Sequence, residues 1–182
     1  ALVLGAGNVS SITPLDLIHK LFVDGRVVML KFNPINDYIG PHVEHAFRDL
    51  MEAGFVRTSY GGAEVGEYLA QHPEVDEIHI TGSEVTHDTI VFGSGSEGAR
   101  RKAAGSPRMT KPITSELGNV SPVIVVPGQW SSRALAYQAE HVATQLLQNA
   151  GYNCNAAKVI VLPERWPQRT EFMDLVGERL AS

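Results

Sequence analysis

A chain of 182 residues and 19.7 kDa, 43% hydrophobic and 19% charged, has enough apolar surface to fold around its own core. Its single cysteine excludes an internal disulfide scaffold and points to a reducing, cytoplasmic location. Fifteen Lys and Arg against twenty Asp and Glu give a formal charge of −5, which argues against a nucleic-acid partner, and no apolar run approaches the ~18 residues of a membrane span.

The sequence opens on Ala1-Leu2-Val3-Leu4 without a start Met or a basic leader, so no targeting peptide is expected and the stretch reads as part of something longer. Short β-branched runs then alternate with longer segments of helical period, the pattern of a parallel α/β sheet. Strands are expected at residues 2–5, 27–31, 56–59, 77–81, 113–116, 122–126 and 157–162. Helices are expected from Pro14 to Phe22, Pro41 to Ala53, Ala63 to Gln71, Ser132 to Gln148 and Pro167 to Leu180, with Thr13 before Pro14 as a cap followed by a first-turn proline. Residues 93–111 are rich in Gly and Ser and lack periodicity, so they read as a surface insertion, with Arg100-Arg101-Lys102 as a solvated basic cluster. A change of rhythm near Gly118 to Pro122 marks a domain junction.

Two glycine clusters follow strands. Gly5-Ala6-Gly7-Asn8-Val9-Ser10 begins like a dinucleotide fingerprint but has Ser10 in place of the third glycine, and a tight turn explains it better. Gly61-Gly62-Ala63-Glu64-Val65-Gly66 opens a helix, where glycines either let a phosphate approach backbone N–H groups or serve only packing. The seven histidines form no metal box, so no metal site is expected. Asn8-Val9-Ser10 and Asn119-Val120-Ser121 match the glycosylation pattern by chance.

Cys154 lies between a helix and a strand, in Asn149-Ala150-Gly151-Tyr152-Asn153-Cys154-Asn155. By residue type alone a free cysteine is a small buried apolar group. Its polar flanks and Gly151 instead describe a turn that exposes the sulfur and its N–H, where a nucleophile is useful. Glu116, at a strand end in Ser115-Glu116-Leu117-Gly118, is either a solvated turn carboxylate or a base for water beside that thiol.

Taken together, these segments resemble the aldehyde dehydrogenase superfamily. The Cys154 segment is similar to the nucleophile signature Asn-x-Gly-Gln-x-Cys, and Glu116-Leu117-Gly118-Asn119, ending in Pro122, to Glu-Leu-Gly-Gly. Ile80-Thr81-Gly82-Ser83 resembles Phe-Thr-Gly-Ser, and Arg26 to Lys31 resembles the strand that ends in the cofactor lysine. Asn8 precedes Lys31 by 23 residues, the family's interval between its oxyanion asparagine and that lysine.

The resemblance implies a Rossmann-like parallel sheet with helices on both faces over 1–117 and the beginning of a second α/β catalytic domain over 118–182, equivalent to the middle of the family's chain. It implies NAD or NADP as cofactor and an aldehyde as small-molecule partner, oxidised to a carboxylic acid through a thiohemiacetal and a thioester, in a longer protein that forms a homo-oligomer. Carried over residue by residue, Cys154 is the nucleophile, Asn8 the oxyanion donor and Glu116 the base, while Lys31 meets the adenosine ribose and Gly62, Gly66, Gly82, Ser83 and Leu117 line the cofactor path. The three catalytic groups are expected to converge on one cavity.

Departures from the pattern are Tyr152 for Gln, Asn119 for Gly, His87 for Gly, and Pro34 where many members carry an acid for the ribose, which leaves NAD against NADP open. Ser83 precedes Glu116 by 33 residues, more than the family's usual interval, and the 93–111 insertion absorbs the difference. Two alternatives remain: transfer of the acyl group to coenzyme A, against which Glu116 argues, and a non-catalytic nucleotide-binding scaffold.

Overall fold

A computed structural model describes residues 1–181. The chain divides into two compact units, the first spanning Ala1–Gly118 and the second beginning at Asn119.

In the first unit β1 (Leu2–Leu4), β2 (Val28–Lys31), β3 (Val56–Ser59), β4 (Ile78–Gly82) and β5 (Ile113–Leu117) form one parallel sheet in the order β3-β2-β1-β4-β5. The strand order reverses direction at β1, creating a topological switch point between β1 and β4. Side chains alternate across the sheet, so Leu2 and Leu4 join Ile78, Ile80, Ala70 and Ile90 on one face, while Val3 joins Val28, Leu30, Phe32 and Val56 on the other. Both faces are apolar because helices cover both, as parallel sheets require.

On the second of those faces lie α1 (Ile12–Ile18), which runs on through a π-helical turn at His19–Val23, and, after a 3-10 turn at Asp37–Ile39, α2 (Gly40–Ala46) and α3 (Arg48–Glu52). The single helix expected from Pro41 to Ala53 is broken at Phe47, whose φ of −104° and ψ of 17° leave helical geometry while its ring packs into the core with Val43 and Leu50. On the first face, α4 (Ala63–Gln71) and α5 (Glu84–Phe92) contribute Ala70 and Ile90 to the core.

The stretch 93–111, expected to be an irregular surface insertion, is largely exposed but contains a helix, α6 (Gly95–Ala103). It lacks an apolar stripe and is held by charge. Glu97 bonds Arg100 and Arg101 at 2.7 and 2.9 Å, and Lys102 reaches back to Glu84 and Asp88 of α5 at 2.7 and 2.6 Å. Gly93, with φ of 97°, turns the chain between the two helices, and a Cβ on Gly98 would strike the Gly93 carbonyl.

The second unit is a single βαβ crossover followed by a helix: β6 (Ser121–Ile124), α7 (Ser132–Leu147), β7 (Ala157–Val161) parallel to β6, and α8 (Arg169–Ala181). Ser131 caps α7 by accepting the Ala134 N–H. Trp130, Trp166 and Phe172 form an aromatic cluster with centroids 5.0 to 5.9 Å apart, joined in the core by Leu135, Val142 and Val176. The Trp166 indole donates to the Gly128 carbonyl at 3.0 Å, and the Gln168 carboxamide clamps both backbone groups of Trp130.

Candidate functional site

In open α/β sheets, ligands bind outside the carboxyl ends of the strands at the switch point. That edge of the first unit is built as follows. The chain leaves β1 through Gly5, Ala6 and Gly7 into the bend that holds half-buried Asn8. Lys31 ends β2. Ser59 ends β3, and Gly62 is the residue before α4, in extended geometry. Gly82 ends β4 and Ser83 caps α5, while Glu116, exposed, and Leu117 end β5. Asn8, Lys31, Gly62, Gly82, Ser83, Glu116 and Leu117 thus share one edge of the sheet, and Gly66, one turn into α4, is buried beside Leu4.

The first glycine cluster is filled by the chain itself. A Cβ on Gly5 would collide with Thr13, and one on Gly7 with the Asn33 carboxamide, so both serve the close approach of α1 and the β2 exit. The buried Asn36 side chain ties that exit to the Ala6 carbonyl at 3.0 Å.

The second cluster faces a charged pair. Lys31 follows Met29 by two residues, so its side chain leaves the sheet toward the α4 face, and it is only 7% exposed. Burial depresses the Lys31 pKa, partly countered by the charge of Glu64. The Glu64 carboxylate folds back from the first turn of α4 to accept the Gly62 N–H at 3.0 Å. That bond and one from its own N–H hold its pKa below the ordinary carboxylate value, with Lys31 adding to the effect. Ser83 spends its hydroxyl on the Thr86 N–H at 3.1 Å.

A polar cluster that the motifs did not reveal lies on the α1 side of β4 and β5. Thr81 donates to Asp16 of α1 at 2.8 Å, and the His79 ring contacts Asp16 at 3.6 Å through one nitrogen and Thr114 at 2.8 Å through the other. Thr81 and Glu116 are register partners, as are His79 and Thr114. The signal was present in the sequence as His79 and Thr81 alternating with Ile78 and Ile80.

Cys154 belongs to the second unit. It is half-buried in the turn from α7 to β7, after Asn149, Ala150 and Gly151, all in left-handed conformation with φ of 53°, 52° and 80°. Asn153 shapes this turn by accepting the Asn155 N–H through its side chain at 2.8 Å and the Ala156 N–H through its carbonyl at 3.0 Å. Among the described residues no group of three or more His, Cys, Asp or Glu could hold a metal, and no helix is long and apolar enough to cross a membrane.

The sheet edge brings together a buried ammonium at the β2 end, two helix N-termini, and glycines at α4, groups that suit an anionic ligand. The family model for the aldehyde dehydrogenase family matches residues 8–182. The chain belongs to that family. Among curated members it is 33% identical over 113 residues to betaine aldehyde dehydrogenase 1 of Oryza sativa subsp. japonica, covering 62% of this chain and 19% of that one. With N-succinylglutamate 5-semialdehyde dehydrogenase of Novosphingobium aromaticivorans it shares 26% over 161 residues, covering 88% and 31%. The chain therefore spans between a fifth and a third of these family members' length.

Two solved members share the fold. Gamma-glutamyl-gamma-aminobutyraldehyde dehydrogenase from Burkholderia cenocepacia J2315 superposes with a TM-score of 0.75 at 24% identity, covering 98% of this chain and 33% of that one. Mycobacterium tuberculosis aldehyde dehydrogenase complexed with NAD+ gives 0.73 at 24% identity, covering 100% and 35%. The expected α/β class with a parallel sheet is that of the family, and the sheet of the first unit has five strands.

Proposed function

We propose that this chain carries the cofactor-binding and nucleophile-bearing portions of an enzyme that oxidises an aldehyde to a carboxylic acid with NAD or NADP. The observation that carries the reading is that Asn8, Lys31, Gly62, Ser83 and Glu116, named by family motifs, all follow or end strands on the carboxyl edge of a sheet with a switch point.

In this reading Lys31 donates to the adenosine ribose, and the backbone around Gly62, Gly66, Gly82, Ser83 and Leu117 lines the dinucleotide path. A bound nicotinamide supplies the hydride acceptor. The Cys154 thiolate forms a bond to the aldehyde carbon, and the carbonyl pair of electrons moves onto oxygen. That oxyanion is held by the Asn8 carboxamide and the Cys154 N–H. Once the carbon is oxidised, Cys154 holds a thioester. Glu116 takes a proton from water as its oxygen attacks the thioester carbon, the C–S bond breaks, and the thiolate leaves with the acid as product. Glu116 supports water over coenzyme A as the acceptor, because a thiol needs no such base. The longer protein is proposed to act as a homo-oligomer.

The experiment is Cys154→Ser in the longest native polypeptide containing these residues, followed by aldehyde-dependent NAD(P)H formation with and without coenzyme A. Loss of turnover with retained nucleotide binding is expected; undiminished turnover removes the nucleophile, and dependence on coenzyme A replaces hydrolysis by acyl transfer.

A further inference from the structure

In doubly wound sheets the end of the second strand meets the adenosine ribose, with an acid for a free 2′-hydroxyl or a cation for a 2′-phosphate. Here β2 ends in Lys31 and is followed by Phe32-Asn33-Pro34, which contains no acid. Phe32 is fully buried and stacked on Tyr60 at 5.1 Å, and the Asn33 side chain is committed to the Ile35 N–H at 3.0 Å. None of the three offers the ribose a carboxylate.

The neighbouring strand exit does. Lys31 is the register partner of Ser59, and the Phe32 N–H donates to the Ser59 carbonyl, so the chain running from β3 into α4 starts beside Lys31. Five residues after Ser59 comes Glu64, whose carboxylate occupies the space a Cβ would take on Gly62 and is fixed there by the Gly62 N–H. Strand alternation sends Lys31 toward the face that α4 covers. We infer that Glu64 is the ribose acid of this chain, supplied from α4 instead of the β2 exit, and that with Lys31 it selects a dinucleotide with a free 2′-hydroxyl, NAD, over one with a 2′-phosphate.

The chemistry follows from one donor and one acceptor. A ribose diol gives a hydrogen bond to a carboxylate and takes one from an ammonium, and it is neutral, as the pair is. A 2′-phosphate brings up to two negative charges against a carboxylate that is held in place by a charge-assisted hydrogen bond. Lys31 and Glu64 lie within each other's field, which pushes the Lys31 pKa up against its burial and adds to the lowering of the Glu64 pKa.

The inference rests on the dinucleotide reading above, and its test reads binding without turnover. Titration calorimetry of the protein with NAD+ and NADP+, and with 5′-AMP and 2′,5′-ADP as the halves that differ only at the 2′-position, gives the preference directly. The wild type is expected to bind the hydroxyl forms about tenfold more tightly or better. Glu64→Gln, which keeps a hydrogen-bonding group beside Gly62, is expected to narrow that ratio severalfold by strengthening the phosphate forms, and Lys31→Met to weaken both classes. Equal or tighter binding of NADP+ by the wild type, or an unchanged ratio in Glu64→Gln, overturns the inference alone. Failure to bind either dinucleotide overturns the dinucleotide reading and this inference together.

Discussion

The hydroxyl of Thr81, at the carboxyl end of β4, donates a 2.8 Å hydrogen bond to the carboxylate of Asp16 on α1. The bond is part-buried, and Thr81 itself is 9% exposed. Asp16→Ala is expected to cost about 1–3 kcal/mol, because a buried donor loses its acceptor. The double variant Asp16→Ala/Thr81→Val should recover part of that loss, since no unpaired hydroxyl remains. Urea unfolding curves of the two variants measure this, and a double variant no more stable than Asp16→Ala contradicts it.

Acid should act on the first unit through Glu77. Its hydrogen bond from Lys20, at 3.0 Å, outweighs burial and holds the Glu77 pKa below the usual 4.5, with the charges of Lys20 and Arg26 contributing. Burial pulls Lys20 down, but its bonds to Asp24 and Glu77 more than offset this and leave its pKa above the usual 10.5. A depressed folded-state carboxylate gives stability that is complete above its unfolded pKa and is lost as pH falls through the folded value. A raised lysine gives stability that is complete below 10.5 and is lost as pH rises through its folded value. Unfolding midpoints should therefore drop on acidification below about pH 4.5, less steeply in Glu77→Gln. The same acid slope in both proteins removes Glu77 from the account.

The chain's two tryptophans, Trp130 and Trp166, both lie in the aromatic cluster of the second unit, so intrinsic fluorescence reports on that unit. Phe172 is fully buried against them. Phe172→Ala should destabilise the unit by about 3–5 kcal/mol, the transfer and cavity cost of a buried phenyl ring. A red-shifted emission at lower denaturant shows it, whereas an unshifted midpoint means the cluster collapses around the gap.

Asn8 carries the proposed oxyanion bond. Loss of one preorganised donor typically lowers kcat by about 10²–10³-fold. Asn8→Ala in the longest native polypeptide should show that fall with NAD+ affinity unchanged, measured by steady-state turnover alongside calorimetry. A changed affinity with unchanged kcat assigns Asn8 to cofactor binding instead.

Residue order alone was enough to place the seven strands within about one or two residues, because β-branched runs bounded by Gly, Pro and Asn have few other ways to fold. It also supplied the family, since motifs around Asn8, Lys31, Thr81, Glu116 and Cys154 are local strings of letters. Tertiary structure decided the rest. α6 has no apolar period to read, and Lys102 is held by acids of α5 that only the folded chain brings beside it. The pairing of Asp16 with Thr81 spans 65 positions, and the approach of Glu64 to the β2 exit depends on strand order and face. A linear pattern encodes period and propensity; which strand lies beside which is set by packing among distant segments, so the alternation of His79 and Thr81 did not name Asp16 as their partner, nor did the local bond of Glu64 to Gly62 place it beside the β2 exit, before the sheet was assembled.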